Sequence, residues 1–329
     1  MKNLLLMFSL VVAFCLAAHA RITYELSVKG AQAKIVLKVV DQDGVAVPGA
    51  KIWGAFSANH LKDSILVDGV SDANGEYVAL GKCNEFLRVD VTKKGYYHTE
   101  EKINFRKSKS KPIVADGKWQ PYGETRTVVL KKIKKLGQLS VPNIGCISVS
   151  ERHVPKFGCW LPFDLEKFDW TSPYGDGVFP DVLLRFQSRA TADIFDYTDC
   201  MEVCFTNNQF AGAYKLRKDM FSDMKTCYMA NSNAEYNGCF TFLSERTADN
   251  KRTEDYLKSD EYMVFRTRTR VDEHGKLVSA HYGAIHGPWL FARDHIRIGD
   301  GCFNLIKNNC DIEDGYYLRE AVKHYEDAD

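Results

Sequence analysis

Three times along the chain an Asp-x-x-Gly tetrapeptide stands among short runs of β-branched, apolar and aromatic residues: Asp41-Gln42-Asp43-Gly44, Asp72-Ala73-Asn74-Gly75 and Asp272-Glu273-His274-Gly275. Asp and Gly suit the positive-φ corner of a hairpin. The neighbouring segments alternate with period two, as in Leu87-Arg88-Val89-Asp90-Val91, or run apolar, as in Ile35-Val36-Leu37 and Val39-Val40. Short strands with turn signals every 8 to 12 residues or so pack as β-sandwiches. The expected fold is all-β, with two β-sandwich-like domains over residues 21–135 and 136–329. The second is expected to be mostly β with a few short helices, at Tyr214–Met220, Thr253–Lys258 and Tyr317–Tyr325.

The first 20 residues read as an export signal. Met1-Lys2-Asn3 is a basic start, Leu4–Leu16 is almost unbroken apolar sequence, and Ala18-His19-Ala20 offers small residues for cleavage after Ala20. The expected location is secreted or periplasmic, with no membrane span after cleavage. Of the ten cysteines, Cys15 leaves with the signal and Cys83 stands alone, expected to be a buried thiol. The other eight are Cys146, Cys159, Cys200, Cys204, Cys227, Cys239, Cys302 and Cys310, all beyond residue 140. An even cluster in an exported domain reads as disulfides, with pairing open and a local pair such as Cys302 with Cys310 conceivable. Lys and Arg number 44 against 43 Asp and Glu, for a net charge of +1. That balance gives no electrostatic footprint for nucleic acid.

Val40-Asp41-Gln42-Asp43-Gly44, Val47-Pro48-Gly49-Ala50, Gly69–Tyr77 and Lys94-Gly95-Tyr96 follow one another in an order that resembles the carboxypeptidase regulatory-like domain. That resemblance implies a prealbumin-type Greek-key sandwich serving as a folding, spacer or binding module. Trp119-x-Pro121-Tyr122, Val128–Lys134, the stretch from Phe163 to Asp181, and Val264-Phe265-Arg266-x-Arg268 with Leu277–Gly283 extend the likeness over nearly the whole mature chain. Together they are similar to a family of uncharacterised secreted bacterial proteins that carry this sandwich at their N-terminus. The family brings no activity with it. The chain departs from it at Leu136–Pro142 and in its additional cysteines.

No nucleophile elbow, His-Glu-x-x-His helix, P-loop or dinucleotide-binding glycine motif occurs. His98-Thr99-Glu100-Glu101 has the spacing of a metallocarboxypeptidase's first two zinc ligands, but it falls on an expected sandwich strand. His274, His281, His286 and His295 are expected to be structural or surface groups, and the Asp-x-Asp-Gly and Asp-x-Asn-Gly stretches to be turns, since the later ligands of a calcium loop are missing. No catalytic residue, metal or cofactor is assigned. The candidate ligand loop holds Trp160, Trp170, Tyr174 and Asp176, aromatic rings beside carboxylates that suit sugar stacking. Asp164, Glu166, Asp169 and Asp181 form the accompanying acidic concentration. In the hairpin Glu261–Tyr282, alternation sets Met263, Phe265, Thr267, Thr269 and Val271 toward the core. Tyr262, Val264, Arg266, Arg268 and Arg270 take the other face. The three arginines would then form a surface stripe fit for an acidic glycan. The expected role is a non-enzymatic exported binding or surface-associated protein, with a glycan or another exported protein as partner. The alternative is a hydrolase whose active site lies unrecognised in the second domain, with the first as accessory.

Overall fold

The computed structural model describes residues 30–58, 65–105, 114–134, 144–147, 150–190, 196–299 and 301–313. The signal segment 1–20, the linker 136–142 and the helix expected at Tyr317–Tyr325 lie outside the described residues. Among those described, every regular element is a strand. The chain divides into two compact units, one comprising Met1–Leu136 with Phe221–Asp223, the other Gly137–Met220 with Met224–Asp329.

The first unit contains β1 (Ala31–Asp41), β2 (Lys51–Phe56), β3 (Leu66–Val70), β4 (Glu76–Cys83), β5 (Phe86–Thr92), β6 (Thr99–Asn104), β7 (Val114–Ala115), β8 (Lys118–Trp119) and β9 (Glu124–Leu130). Strands β3-β2-β5-β6 form one antiparallel sheet. The other sheet is built on β1, which pairs antiparallel with β4 and parallel with β9 and β8. Period-two alternation turns Ala33, Ile35, Leu37 and Val39 of β1 and Leu87, Val89 and Val91 of β5 into one shared core, closed by Phe56 and Trp119. Each such fully buried Leu or Phe stabilises by roughly 1.5–3 kcal/mol relative to exposure. Cys83 is a buried thiol in this core.

All three Asp-x-x-Gly turns use one carboxylate oxygen in the same way. Asp41 Oδ1 accepts the amides of Asp43 and Val45, Asp72 Oδ1 those of Asn74 and Glu76, and Asp272 Oδ1 those of His274 and Lys276, all at 2.8–3.0 Å. Each turn ends on a glycine at positive φ, and at Gly75 a Cβ would also lie 2.4 Å from the Val39 carbonyl oxygen. Closing a tight turn accounts for these residues: Asp272–Gly275 joins the paired strands Glu261–Val271 and Leu277–His286, whereas Asp72–Gly75 carries the chain from β3 to β4, which belong to different sheets.

The second unit contains β10 (Ile144–Ile147), β11 (Ser150–His153), β12 (Leu161–Asp164), β13 (Asp169–Trp170), β14 (Val182–Ala190), β15 (Tyr197–Phe205), β16 (Gly212–Arg217), β17 (Cys239–Arg246), β18 (Arg252–Asp255), β19 (Glu261–Val271), β20 (Leu277–His286), β21 (Trp289–Ala292), β22 (His295–Ile298) and β23 (Gly301–Asn304). They build three sheets, ordered β13-β12-β14-β15-β17-β18, β10-β23-β20-β19-β16 and β11-β22-β21. The helices expected at Tyr214–Met220 and Thr253–Lys258 are not formed. Their residues enter β16 and β18, where pairing with β19 and β17 satisfies the backbone and outweighs weak helical propensity.

In the sheet β10-β23-β20-β19-β16, the middle strands β19 and β20 are covered on both faces over Tyr262–Thr267 and Tyr282–His286. Met263, Phe265, Ile285 and Phe303 join the main core with Phe163, Phe186, Met201 and Trp289. Tyr262, Val264, Ala280, Tyr282 and Ala284 pack on the other side against Ala230, Tyr236 and Ile312. A strand covered on both sides reads as continuous burial, and from Tyr262 to Thr267 no residue of β19 is left to solvent. The expected solvated face of this hairpin is thereby corrected: segments around Ala230–Tyr236 and Ile312 cover it.

Candidate functional site

The arginine stripe does not survive the fold. β19 pairs Thr267 with His281 but Arg270 with Ser279, so three steps on one strand match two on the other. The extra residue is a β-bulge, and Arg268 takes φ +49 within it. Alternation therefore breaks between Arg266 and Arg270. Arg266 is buried on the Tyr236 side, with Nε donating to Phe210 O (2.6 Å) and Nη1 to Ser232 O (2.9 Å). Its guanidinium lies 4.0 Å from the Tyr236 ring centroid. Arg268 turns to the opposite side, between the rings of Phe179 (4.3 Å) and Phe303 (4.7 Å). Only Arg270 of the three is exposed.

Arg268 is where the acidic concentration meets the hairpin. Its Nε and Nη2 donate to the two oxygens of Asp181, each at 3.0 Å, its Nη2 also reaches Asp164 Oδ1 at 3.2 Å, and its Nη1 bonds Glu166. Asp164 further accepts four amides, those of Glu166, Lys167, Val178 and Phe179, at 2.8–3.0 Å. Asp181 accepts the Leu165 amide and the Thr267 hydroxyl, both at 3.0 Å. Burial pushes the Asp181 carboxyl above its ordinary value, while Arg268 works the other way. For Arg268, burial is outweighed by Asp181 and Glu166, which hold the guanidinium charged. The two partners thus respond differently. Burial decides the outcome at Asp181, whose side chain is 1% exposed, and not at Arg268, which keeps 15%.

These bonds shape the loop after β13. Asp169 Oδ2 accepts the Asp176 amide, and a Cβ on Gly177 would lie 2.8 Å from the carbonyl oxygens of Asp169 and Trp170. The loop's aromatic residues do not form a stacking platform. Trp170 is 3% exposed, packs edge-on against Phe163 and Phe186, and donates its indole N–H to His153 O at 3.0 Å. Trp160 is partly exposed but has the Arg185 guanidinium 4.7 Å from its ring. Tyr174 and Asp176 are exposed, and no contact joins them to the two tryptophans among the described interactions.

Beside this network lies a pocket of about 350 Å³, lined by residues that include Phe179, Asp181, Arg268, Arg270, His281 and Lys307. Asn207, Thr269 and Ser279 add polar lining. Arg270 and Lys307 are exposed, and neither has a carboxylate partner among the described residues. Phe179 lies half-exposed at 50%. His281 Nδ1 donates to Asn304 O at 3.1 Å. Sequence reasoning picked out Arg268 and Arg270 of this pocket as ligand candidates, named Asp181 in the acidic concentration and read His281 as a structural or surface group. It missed Phe179, Asn207, Ser279 and Lys307, which carry no motif and come from separate strands and loops.

The remaining sequence candidates disperse. His98 bonds Asp90 at 2.8 Å and Asp223 at 3.5 Å, not Glu101. His286 is fully buried beside Tyr262, five residues along β20 from His281. One disulfide joins Cys204 to Cys239, partners in the β15–β17 register. Cys159, Cys200, Cys227, Cys302 and Cys310 stand as thiols. The local pair Cys302–Cys310 is not made, because Cys302 Sγ points to Ile312 O at 3.6 Å. Cys146 is a backbone partner of Cys302, and its side chain lies outside the described residues.

No family model and no curated protein matches the chain. Among solved structures it is similar to 3-chlorocatechol 1,2-dioxygenase from Rhodococcus opacus 1CP, at 15% identity and TM-score 0.26 over 32% of this chain and 61% of that one. It is also similar to a streptococcal ancillary pilin, at 11% identity and TM-score 0.22 over 80% and 60%. A third is a Bacteroides uniformis ATCC 8492 protein thought to bind carbohydrate, at 12% identity and TM-score 0.17 over 83% and 99%. The chain spans 61% of the length of the first dioxygenase and 60% of the pilin. At TM-scores this low, none of the three bears on what the chain does.

Proposed function

We propose that this chain is an exported, non-enzymatic binding protein, and that the pocket beside Arg268 takes an anionic glycan. The observation that carries this reading is the pair of exposed cations, Arg270 and Lys307, without carboxylate partners among the described residues, on one pocket with a half-exposed Phe179 ring. An Arg fork matches a sulfate or carboxylate, Lys adds a point charge, and an aromatic face covers a sugar ring. A volume of about 350 Å³ suits one or two sugar residues at the lower end of small-ligand pockets. The nearby carboxylates favour binding over hydrolysis. Asp164, Glu166 and Asp181 are held by Arg268, and the first and third also by backbone or hydroxyl donors, so they are already engaged by the protein's own groups. The apolar leader through Ala20 supports export. The order of turns in the first unit supports a regulatory-like sandwich acting as a spacer.

The test is retention of the mature protein, starting at Arg21, on sulfated and uronic-acid oligosaccharides against neutral ones at low salt. Arg270→Ser with Lys307→Ser should abolish retention and leave the melting temperature unchanged, since both side chains are exposed. Equal retention of neutral sugars, or undiminished retention by the double variant, overturns the proposal. Release of new reducing ends would replace it with the hydrolase reading.

A further inference from the structure

We propose a second site, independent of that pocket, at His153, Asp294 and His295: a binding site for a late first-row divalent cation such as Zn²⁺ or Ni²⁺. His153 ends β11 and His295 begins β22, and the two are directly opposed in the antiparallel register. Opposed residues project from the same face, and here the imidazole centroids lie 5.1 Å apart. Asp294 closes the two-residue turn between β21 and β22 and sets its carboxylate 2.7 Å from His295 Nδ1 and 3.6 Å from His153 Nδ1. One donor atom from each of the three falls within 4.8 Å of the others.

Ligands round a tetrahedral zinc lie about 3.3 Å apart, given bonds of about 2.0–2.1 Å. Closing this set therefore takes side-chain movements of about 1 Å. The side chains are free to make them, being 65%, 51% and 47% exposed for His153, Asp294 and His295. The backbone beneath them is fixed. His153 O receives the Trp170 indole at 3.0 Å, Asp294 O receives the Val154 amide at 2.7 Å, and the Arg293 amide is bound to Asp199 Oδ2 at 3.2 Å. The nearby cation Arg152 is directed to Asp169 at 3.6 Å and to the Phe168 ring, away from the cluster. Fixed main chain with adjustable donors lowers the ordering cost of binding. Two imidazoles and one carboxylate select zinc, nickel or copper over the oxygen-preferring Mg²⁺ and Ca²⁺. Three protein ligands also leave a coordination position for water or an incoming donor.

The experiment is calorimetric titration of the EDTA-stripped mature protein with ZnCl₂ and with NiCl₂, after the thiols are blocked by iodoacetamide so that cysteines cannot contribute. One equivalent is expected for each metal, with none for MgCl₂. His153→Asn and His295→Asn should each weaken binding by no less than the roughly tenfold that losing an outer-sphere partner costs. Metal should raise the melting temperature of the parent and not of the double variant. No saturable binding, or binding unchanged in His153→Asn/His295→Asn, overturns the site. Because neither histidine lines the Arg270–Lys307 pocket, glycan retention by these variants reports on that pocket separately.

Discussion

Replacing Arg268 by methionine keeps the side chain long and apolar but removes the one cation bonded to all three carboxylates. Asp164 would keep four backbone amides as partners. Asp181 would not. It keeps only the Leu165 amide and the Thr267 hydroxyl, in a site where its side chain is 1% exposed. Removing one partner of a buried ion pair costs about 3–5 kcal/mol, far more than the pair itself contributes over an apolar replacement of both members. For a unit of 150–250 residues that corresponds to a fall in melting temperature of roughly 6–20 °C at pH 7.

The pH dependence separates this explanation from simple loss of packing. Asp181 already holds its proton more tightly in the folded chain than an unfolded Asp does, because of burial. For an acid shifted upward, its contribution to stability is fully present below the unfolded value of about 3.9 and is lost as pH rises through the folded value. Without Arg268 that folded value rises further, so the deficit of Arg268→Met should be large at pH 7 and shrink toward pH 4.5. Adding Asp181→Asn should recover part of the loss at pH 7, because the uncompensated charge is gone. The assay is thermal and urea unfolding of the three proteins at both pH values. Melting within about 2 °C of the parent at pH 7, less than 1 kcal/mol by the same scaling, would refute the reasoning. So would a deficit that is the same at pH 4.5.

Two further outcomes follow from single contacts. The Cys204–Cys239 bridge closes a sequence separation of 35, so Cys204→Ser/Cys239→Ser should cost roughly 3–4 kcal/mol by loop entropy, read as a lower urea midpoint that reductant no longer changes. The carboxylates of Asp223 and Asp90 hold His98 above its ordinary value against the effect of burial. A raised histidine adds stability at low pH that is lost as pH rises through the folded value, above about 6.5, so His98→Gln should flatten the fall in stability from pH 6.5 upward. Parallel curves for the two proteins would remove His98 as its cause.

The β-content and the turns were legible because their signals are local. An Asp carboxylate at the start and a glycine at the end make a tight turn whatever the rest of the chain does, as at Asp72–Gly75 and Asp272–Gly275. The first core was legible for the same reason: β1 and β5 each show one apolar face. Both halves of the Arg268 network were also visible, as an acidic concentration at Asp164, Glu166 and Asp181 and as an arginine stripe on β19. Their meeting was not. It depends on one extra residue in a strand, at a position occupied by Arg, not by the Gly or Asn that would announce positive φ. Strict alternation then placed Arg266 and Arg268 together on a surface, where the fold sends them to opposite sides of the sheet. A triple serine variant of Arg266, Arg268 and Arg270, the natural test of a surface stripe, would instead remove two buried anchors. The His153–His295 pair was hidden for a related reason. The two residues are separated by most of the second unit, and only the register of β11 against β22 opposes them.

Polar side chains in this unit fall into two groups, and the distinction locates function better than residue type does. Arg266, Arg268, Asp164, Asp169 and Asp181 were all attractive from sequence, being charged and near aromatic residues. Each is bonded to backbone or to an opposite charge, and removing Arg266, Arg268, Asp164 or Asp181 from that role would leave an unsatisfied buried partner, at about 1–3 kcal/mol or more. Such groups hold a loop or a bulge in place. Arg270 and Lys307 differ: they are exposed, and a wild-type ion pair need not be broken for them to engage an anion. That is why the expected phenotype of Arg270→Ser/Lys307→Ser is lost retention with intact stability, and that of Arg268→Met is lost stability. If both variants lost stability equally, the pocket's cations would belong to the scaffold too, and the anion site would have to be sought elsewhere on the chain.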